Sequence, residues 1–106
     1  MRAIHLAHLD KTRPVLVLTR ERARGVLARV TVAPITSTIK GVSTEVAVGT
    51  RNGLDHDCVV SCDNIHTVPA DRLGRIVGLL AEDQEADLAR AIVNAFDLHL
   101  EDLPSS

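Results

Sequence analysis

Tryptophan and tyrosine are absent, and phenylalanine occurs once, at Phe96. A chain this poor in aromatics cannot stack nucleic-acid bases on a platform of rings. Any contact with nucleic acid has to rest on charge, hydroxyls and backbone groups. Cysteine is nearly as scarce. Cys58 and Cys62 fall in what reads as a strand, where four residues of extended chain span about 13 Å, roughly twice the reach of a disulfide. No stretch approaches the roughly 18 apolar residues of a membrane span. Residues 1–10 lack the basic-then-apolar layout of a secretory signal. Together these absences imply a reduced, cytoplasmic protein with no membrane partner. His56, Asp57, Cys58, Cys62, Asp63 and His66 are crowded enough to raise the question of zinc. The thiol spacing is not that of a structural zinc site, and on a strand the two thiols lie too far apart to share one ion. No metal and no cofactor are expected, and two small buried residues are the plainer reading.

What is present is aliphatic. At 106 residues and 45% hydrophobic, the chain can bury one modest core and not two, so a single domain over 1–106 is expected. The net charge of −2 hides a strong polarity. Residues 1–51 hold nine Lys/Arg against three acids, a balance of +6; residues 52–106 hold three against eleven, a balance of −8. Such polarity fits a basic face for a polyanion with an acidic segment elsewhere, or simply uneven surface charge.

Short strands are expected over about 2–80. Residues 4–9, the continuous apolar run 14–19, the β-branched stretch 26–33 and residues 42–48, 58–62, 65–68 and 75–80 all have strand length. The charged cluster 20–25 reads as a loop, Pro34 as a strand end, and Asn52-Gly53 as a turn. Residues 70–73 read as one helical turn. From Glu82 the period changes: Leu88, Ile92 and Phe96 recur at helical spacing, flanked by Ala89, Ala95 and His99. Glu82, Asp83, Glu85 and Asp87 suit the positive end of a helix dipole, so a helix is expected over about 82–100, with 103–106 as a frayed tail. This is a mostly β fold, a small barrel closed by a C-terminal helix.

Five motifs occur in order along this frame: Ile4-His5-Leu6-Ala7-His8-Leu9-Asp10, Arg13-Pro14-Val15-Leu16-Val17, Val32-Ala33-Pro34-Ile35-Thr36-Ser37, Gly53-Leu54 and Asp63-Asn64-Ile65. In this the chain resembles the MazF/PemK toxin endoribonucleases (mRNA interferases). The resemblance implies an SH3-like β-barrel and a growth-regulating toxin of a type II toxin–antitoxin pair. It further implies metal-independent, sequence-selective cleavage of single-stranded RNA to 2′,3′-cyclic phosphate and 5′-OH ends. The implied partners are a second copy of the chain, as a homodimer, and a cognate MazE-like antitoxin whose acidic, disordered tail would occupy the basic groove. By matching position, Arg13 and Thr36 become the candidate catalytic pair. Ser37, Thr38, Lys11, Arg20, Lys40 and Asn64 are candidates for holding RNA.

The chemistry of those residue types agrees with the assignment. Cleavage through the ribose 2′-OH needs alignment and stabilisation of added negative charge more than a metal. A guanidinium offers a fixed fork of donors to phosphate oxygens, and a hydroxyl at a strand end can donate one more. Pro14 biases Arg13 towards an extended backbone. The chain also departs from the family pattern. The usual longer loop before Arg-Pro, with its catalytic Glu, is reduced to Lys11 and Thr12; the family Trp is His5, and the Gln of Asp-Gln is Asn64. Proton transfer then falls to His5, His8 or Asp10, with His8 favoured because it stands where the family has Asp and shares a face with Asp10. Two rivals stay open: a family member that binds RNA or antitoxin but cleaves weakly or not at all, and a protein-binding poison of the CcdB type. The second is disfavoured by the absence of a C-terminal Trp.

Overall fold

A computed structural model describes residues 2–99; the expected tail over 103–106 lies outside them. Seven strands and one helix follow in chain order: β1 (Arg2–His8), β2 (Thr12–Val17), β3 (Arg29–Thr36), β4 (Glu45–Val48), β5 (Cys58–Ser61), β6 (His66–Pro69), β7 (Leu73–Leu80) and α1 (Glu82–Phe96). The strands pair antiparallel in the order β4-β5-β3-β2-β1-β7, with β6 also paired to β3. The result is the mostly β half-barrel with a C-terminal helix that the sequence implies. No helix among the described residues is long and apolar enough to cross a membrane.

Strand alternation sends successive side chains to two packed faces. Ile4, Leu16, Ala33, Ile35, Val46, Val60 and Leu80 form one cluster, on which α1 sets Leu88 and Ala91. Ala7, Val15, Val17, Val30, Val32 and Val68 form the other. The helix stripe is rotated from the expected one: Gln84, Leu88 and Ala91 are buried, whereas Phe96 is 56% exposed and Ala89 is also exposed. Asp97, in the left-handed region at φ 52°, ends α1 short of residue 100.

Three boundaries differ from expectation for identifiable reasons. The Ala23 carbonyl accepts from both Val26 and Leu27 N–H, which holds those residues in a turn and delays β3 to Arg29. The Glu45 carboxylate takes the N–H groups of Lys40, Gly41 and Val42, so β4 starts only at Glu45. Pro34 lies inside β3 and does not end it. It stands where β3 has left β6 after Val32 and has yet to meet β5 at Ile35. On its other side it faces Val15 across β2. The Leu18 N–H to Thr31 carbonyl bond fixes the alternation, which makes Val15–Pro34 a pair without ladder bonds. A missing N–H costs nothing there.

Candidate active site

Arg13 and Thr36 meet through strand register. Val17 pairs with Val32, Leu16 with Ala33 and Val15 with Pro34. Continued by two residues, that register sets Arg13 across from Thr36 on one face of the sheet, the face that carries Val15 and Val32. Beyond the last apolar pair this face opens into a cavity of ≈ 670 Å³ lined by Arg13, Pro34 and Thr36 together with Asp10, Thr38, Lys40, Glu45, Asp63, Asn64 and His66.

Each polar group arrives with part of its capacity committed. Thr36 Oγ1 accepts from Thr38 N–H at 3.1 Å, which leaves the hydroxyl hydrogen free to donate into the groove. Arg13 Nη2 donates to Asp10 at 3.3 Å, while its Nε is buried with no hydrogen-bond partner among the described residues. A buried unpaired donor is costly, so the guanidinium edge is chemically unsatisfied until something accepts from it. Asp10 stands on the three-residue turn between β1 and β2 (residues 9–11), and its side chain is 78% exposed. Asn64 Nδ2 donates to Ser61 Oγ at 2.8 Å. Asp63 accepts from the Thr44 hydroxyl at 2.6 Å. Glu45 is occupied by three backbone N–H groups at 2.9–3.3 Å, which shape the 38–42 loop carrying Lys40.

Of the residues singled out in the sequence, the structure therefore gathers Arg13, Thr36, Thr38, Lys40 and Asn64. Four others do not line the groove. His8 pairs with Thr12, next to the Ala7–Arg13 pair, so it points from the opposite face of the sheet; its Nδ1 lies 3.0 Å from Thr12 Oγ1. Ser37 lies in the bend just past the end of β3 and is not among the lining residues. Lys11 is exposed on the β1–β2 turn. Arg20 lines a separate hollow of ≈ 240 Å³ with Arg2, Arg24 and Glu85. His5 is buried; its Nδ1–H donates to the Gly74 carbonyl and its Nε2 accepts from Arg24, both at 2.9 Å. Asp10 is the proton-transfer candidate that stands beside Arg13. Glu45, Ser61, Asp63 and His66 are polar groove residues that sequence reasoning did not assign to the site. Burial pushes both thiols up: Cys58 above its ordinary value, with Asp55 and Asp57 adding, and Cys62 to about 11, with Asp63 adding. Among the described residues no three His, Cys, Asp or Glu side chains converge as metal ligands.

Residues 4–96 match the family described as PemK-like, MazF-like toxin of type II toxin-antitoxin system. Endoribonuclease MazF3 of Mycobacterium tuberculosis is 59% identical over 98 residues, covering 92% of this chain and 95% of that one. The solved structure of Mycobacterium tuberculosis toxin MazF-mt6 superposes with a TM-score of 0.91 at 58% identity, covering 92% of this chain and 99% of the other. At 24% identity, a mycobacterial endoribonuclease solved in complex with its cognate antitoxin shares the fold, with a TM-score of 0.82 over 92% of this chain and 93% of its own.

Proposed function

The chain belongs to the PemK-like, MazF-like toxin family of type II toxin–antitoxin systems, and from that premise we propose that it is an endoribonuclease. It cleaves single-stranded RNA at selected sequences without a metal, leaving 2′,3′-cyclic phosphate and 5′-OH ends. The observation that carries this reading is that Arg13 and Thr36 line one groove, with Asp10 3.3 Å from the guanidinium.

The residues divide the work. Arg13 and the Thr36 hydroxyl hold the scissile phosphate and stabilise the charge that builds on its oxygens as the 2′-oxygen attacks. Asp10 accepts the 2′-OH proton. The turn is too short for the family's loop acid, and Asp10 at its tip supplies a carboxylate next to the same arginine. The Asn64 amide, the Thr38 hydroxyl and Lys40 offer hydrogen bonds to base edges and neighbouring phosphates, which is the basis for sequence selection. A cognate antitoxin with an acidic disordered tail fits the same cations and would exclude RNA by occupying them. Ile76 and Leu79 are exposed on the edge strand β7 and suit burial against a second copy in a homodimer.

The test is cleavage of single-stranded RNA in EDTA by the wild type beside Arg13→Ala, Thr36→Ala and Asp10→Asn. The wild type cuts, and its products accept a 5′ label from polynucleotide kinase without prior dephosphorylation. Arg13→Ala lowers the rate about 10²–10³-fold, as loss of a donor to a developing oxyanion does. Asp10→Asn lowers it by about 10²-fold or more. Intact RNA in the wild-type reaction, or variants that cut equally well, would exclude this site.

A further inference from the structure

The groove contains a group to which the reaction so far assigns no role. His66 opens β6, paired with Val32 of β3, so it stands on the same sheet face as Pro34 and Thr36. Its Nδ1–H donates to the Asn64 carbonyl at 2.9 Å, which orients the ring and leaves Nε2 as the nitrogen that gains and loses a proton. The strands run side by side in the order β1, β2, β3, β6. Asp10 (on the β1–β2 turn) therefore stands on one side of the groove next to Arg13, and His66 (on β6, level with Val32) stands on the other side, beyond β3. An in-line displacement at phosphorus needs that placement: the entering oxygen is on one side and the departing oxygen on the other.

We propose that His66 is the general acid of the cleavage step, donating a proton from Nε2 to the departing 5′-oxygen. The inference rests on the nuclease reading above. The step balances: Asp10 takes the 2′-OH proton, the O2′–P bond forms as the P–O5′ bond breaks, and the leaving oxygen takes its proton from the imidazolium. Solvent then returns a proton to His66 and removes one from Asp10. An imidazole can hold and release a proton near neutral pH, which guanidinium and ammonium groups in general do not.

The test compares ordinary RNA with a substrate whose scissile 5′-oxygen is replaced by sulfur, a leaving group that needs no proton. Wild type, Arg13→Ala, His66→Ala and His66→Gln are run on both. His66→Ala and His66→Gln should lose about 10²-fold or more on ordinary RNA yet cut the 5′-thio substrate at close to the wild-type rate. Arg13→Ala should be slow on both. Equal loss on the two substrates would make His66 a binding or structural residue, and unchanged cleavage of ordinary RNA would remove it from the reaction; either outcome overturns the proposal. If the wild type cuts neither substrate, the nuclease reading itself has failed, a result distinct from both.

Discussion

A methyl group at Gly78 would collide with the Asn52 carbonyl and come within 3.1 Å of Gly53 Cα. The backbone of the 49–53 turn lies directly against β7 there, and Gly53, at φ 86°, is itself in the left-handed region. Gly78→Ala should lower stability by roughly 1–3 kcal/mol or more, read as a lower denaturant midpoint at unchanged slope. Gly74→Ala, whose added carbon meets the Leu6 carbonyl at 3.3 Å, should cost much less. The two thiols give a second outcome at this scale. Burial leads in raising both, and Cys62 reaches about 11. Little thiolate exists at neutral pH, and the native protein should resist iodoacetamide while the denatured chain reacts at both positions. Rapid native alkylation of Cys62 would contradict its burial. Arg13 and Thr36 could be nominated because Arg13-Pro14 and Pro34-Ile35-Thr36 fall, in order, where the family motifs have them. Motif position was not enough for His8 or His66. Which face a histidine uses is decided by strand register, set for His8 by its pairing with Thr12 of β2 and for His66 by its pairing with the distant Val32 of β3.

Elements are joined at two polar junctions that hydrophobic periodicity does not reveal. Gln84 lies on the buried face of α1, where a helical pattern asks for an apolar residue. Its Oε1 accepts from Asn52 Nδ2 at 2.6 Å and from Ala81 N–H at 2.9 Å, and its Nε2 donates to the Ala47 carbonyl at 3.1 Å. One amide thus closes the start of the helix and ties it to β4 and the 49–53 turn. Gln84→Ala leaves one N–H of the buried Asn52 amide unpaired, its bonds to Leu79 and Gly49 remaining, and should cost about 1–3 kcal/mol. Asn52→Ala should be non-additive with it by about 0.5–3 kcal/mol in a double-mutant cycle. Glu45 plays the corresponding part for the groove: its carboxylate gathers three N–H groups of the 38–42 loop. Glu45→Ala frees that loop and should raise KM for RNA by up to about tenfold, or ~1.4 kcal/mol, while kcat, which the proposed mechanism assigns to Arg13, Thr36 and Asp10, moves less. An equal fall in kcat would argue that the loop acts in the chemical step. The Glu45 junction also explains a boundary the sequence obscured, since a side chain that captures backbone N–H groups shortens a strand without altering its apolar pattern.

At the scale of the whole molecule, the half-barrel and the helix were legible because alternation and helical period set them over many residues. The charge polarity was legible too, but its destination was not. Nine cations in residues 1–51 suggested a broad basic face. Folding brings the acidic helix against that half: Arg2 pairs with Glu85 at 3.1 Å, and Arg51 with Asp83 at 2.7 Å. The second pair holds Asp83 below its ordinary range, chiefly through the hydrogen bond from Arg51. A depressed carboxylate stabilises the fold above its unfolded value and loses that contribution as pH falls through the folded one. Arg51→Ala should therefore flatten part of the acid limb of stability. Among the described residues, Arg13 and Lys40 are the only Lys or Arg side chains that line the groove. Phosphate neutralisation by single-stranded RNA lowers log K with log salt by about 0.7 per contact. Two contacts give a slope near −1.4, whereas engagement of all nine cations of the N-terminal half would give roughly −6. A shallow slope, with most of the affinity surviving added salt, is the expected result of a titration by fluorescence anisotropy using Arg13→Ala as the comparison. A slope of about −3.5 or steeper would mean that RNA also tracks Arg20, Arg22 and Arg24 outside the groove. The groove's own hydrogen-bonding side chains would then be a minor part of recognition.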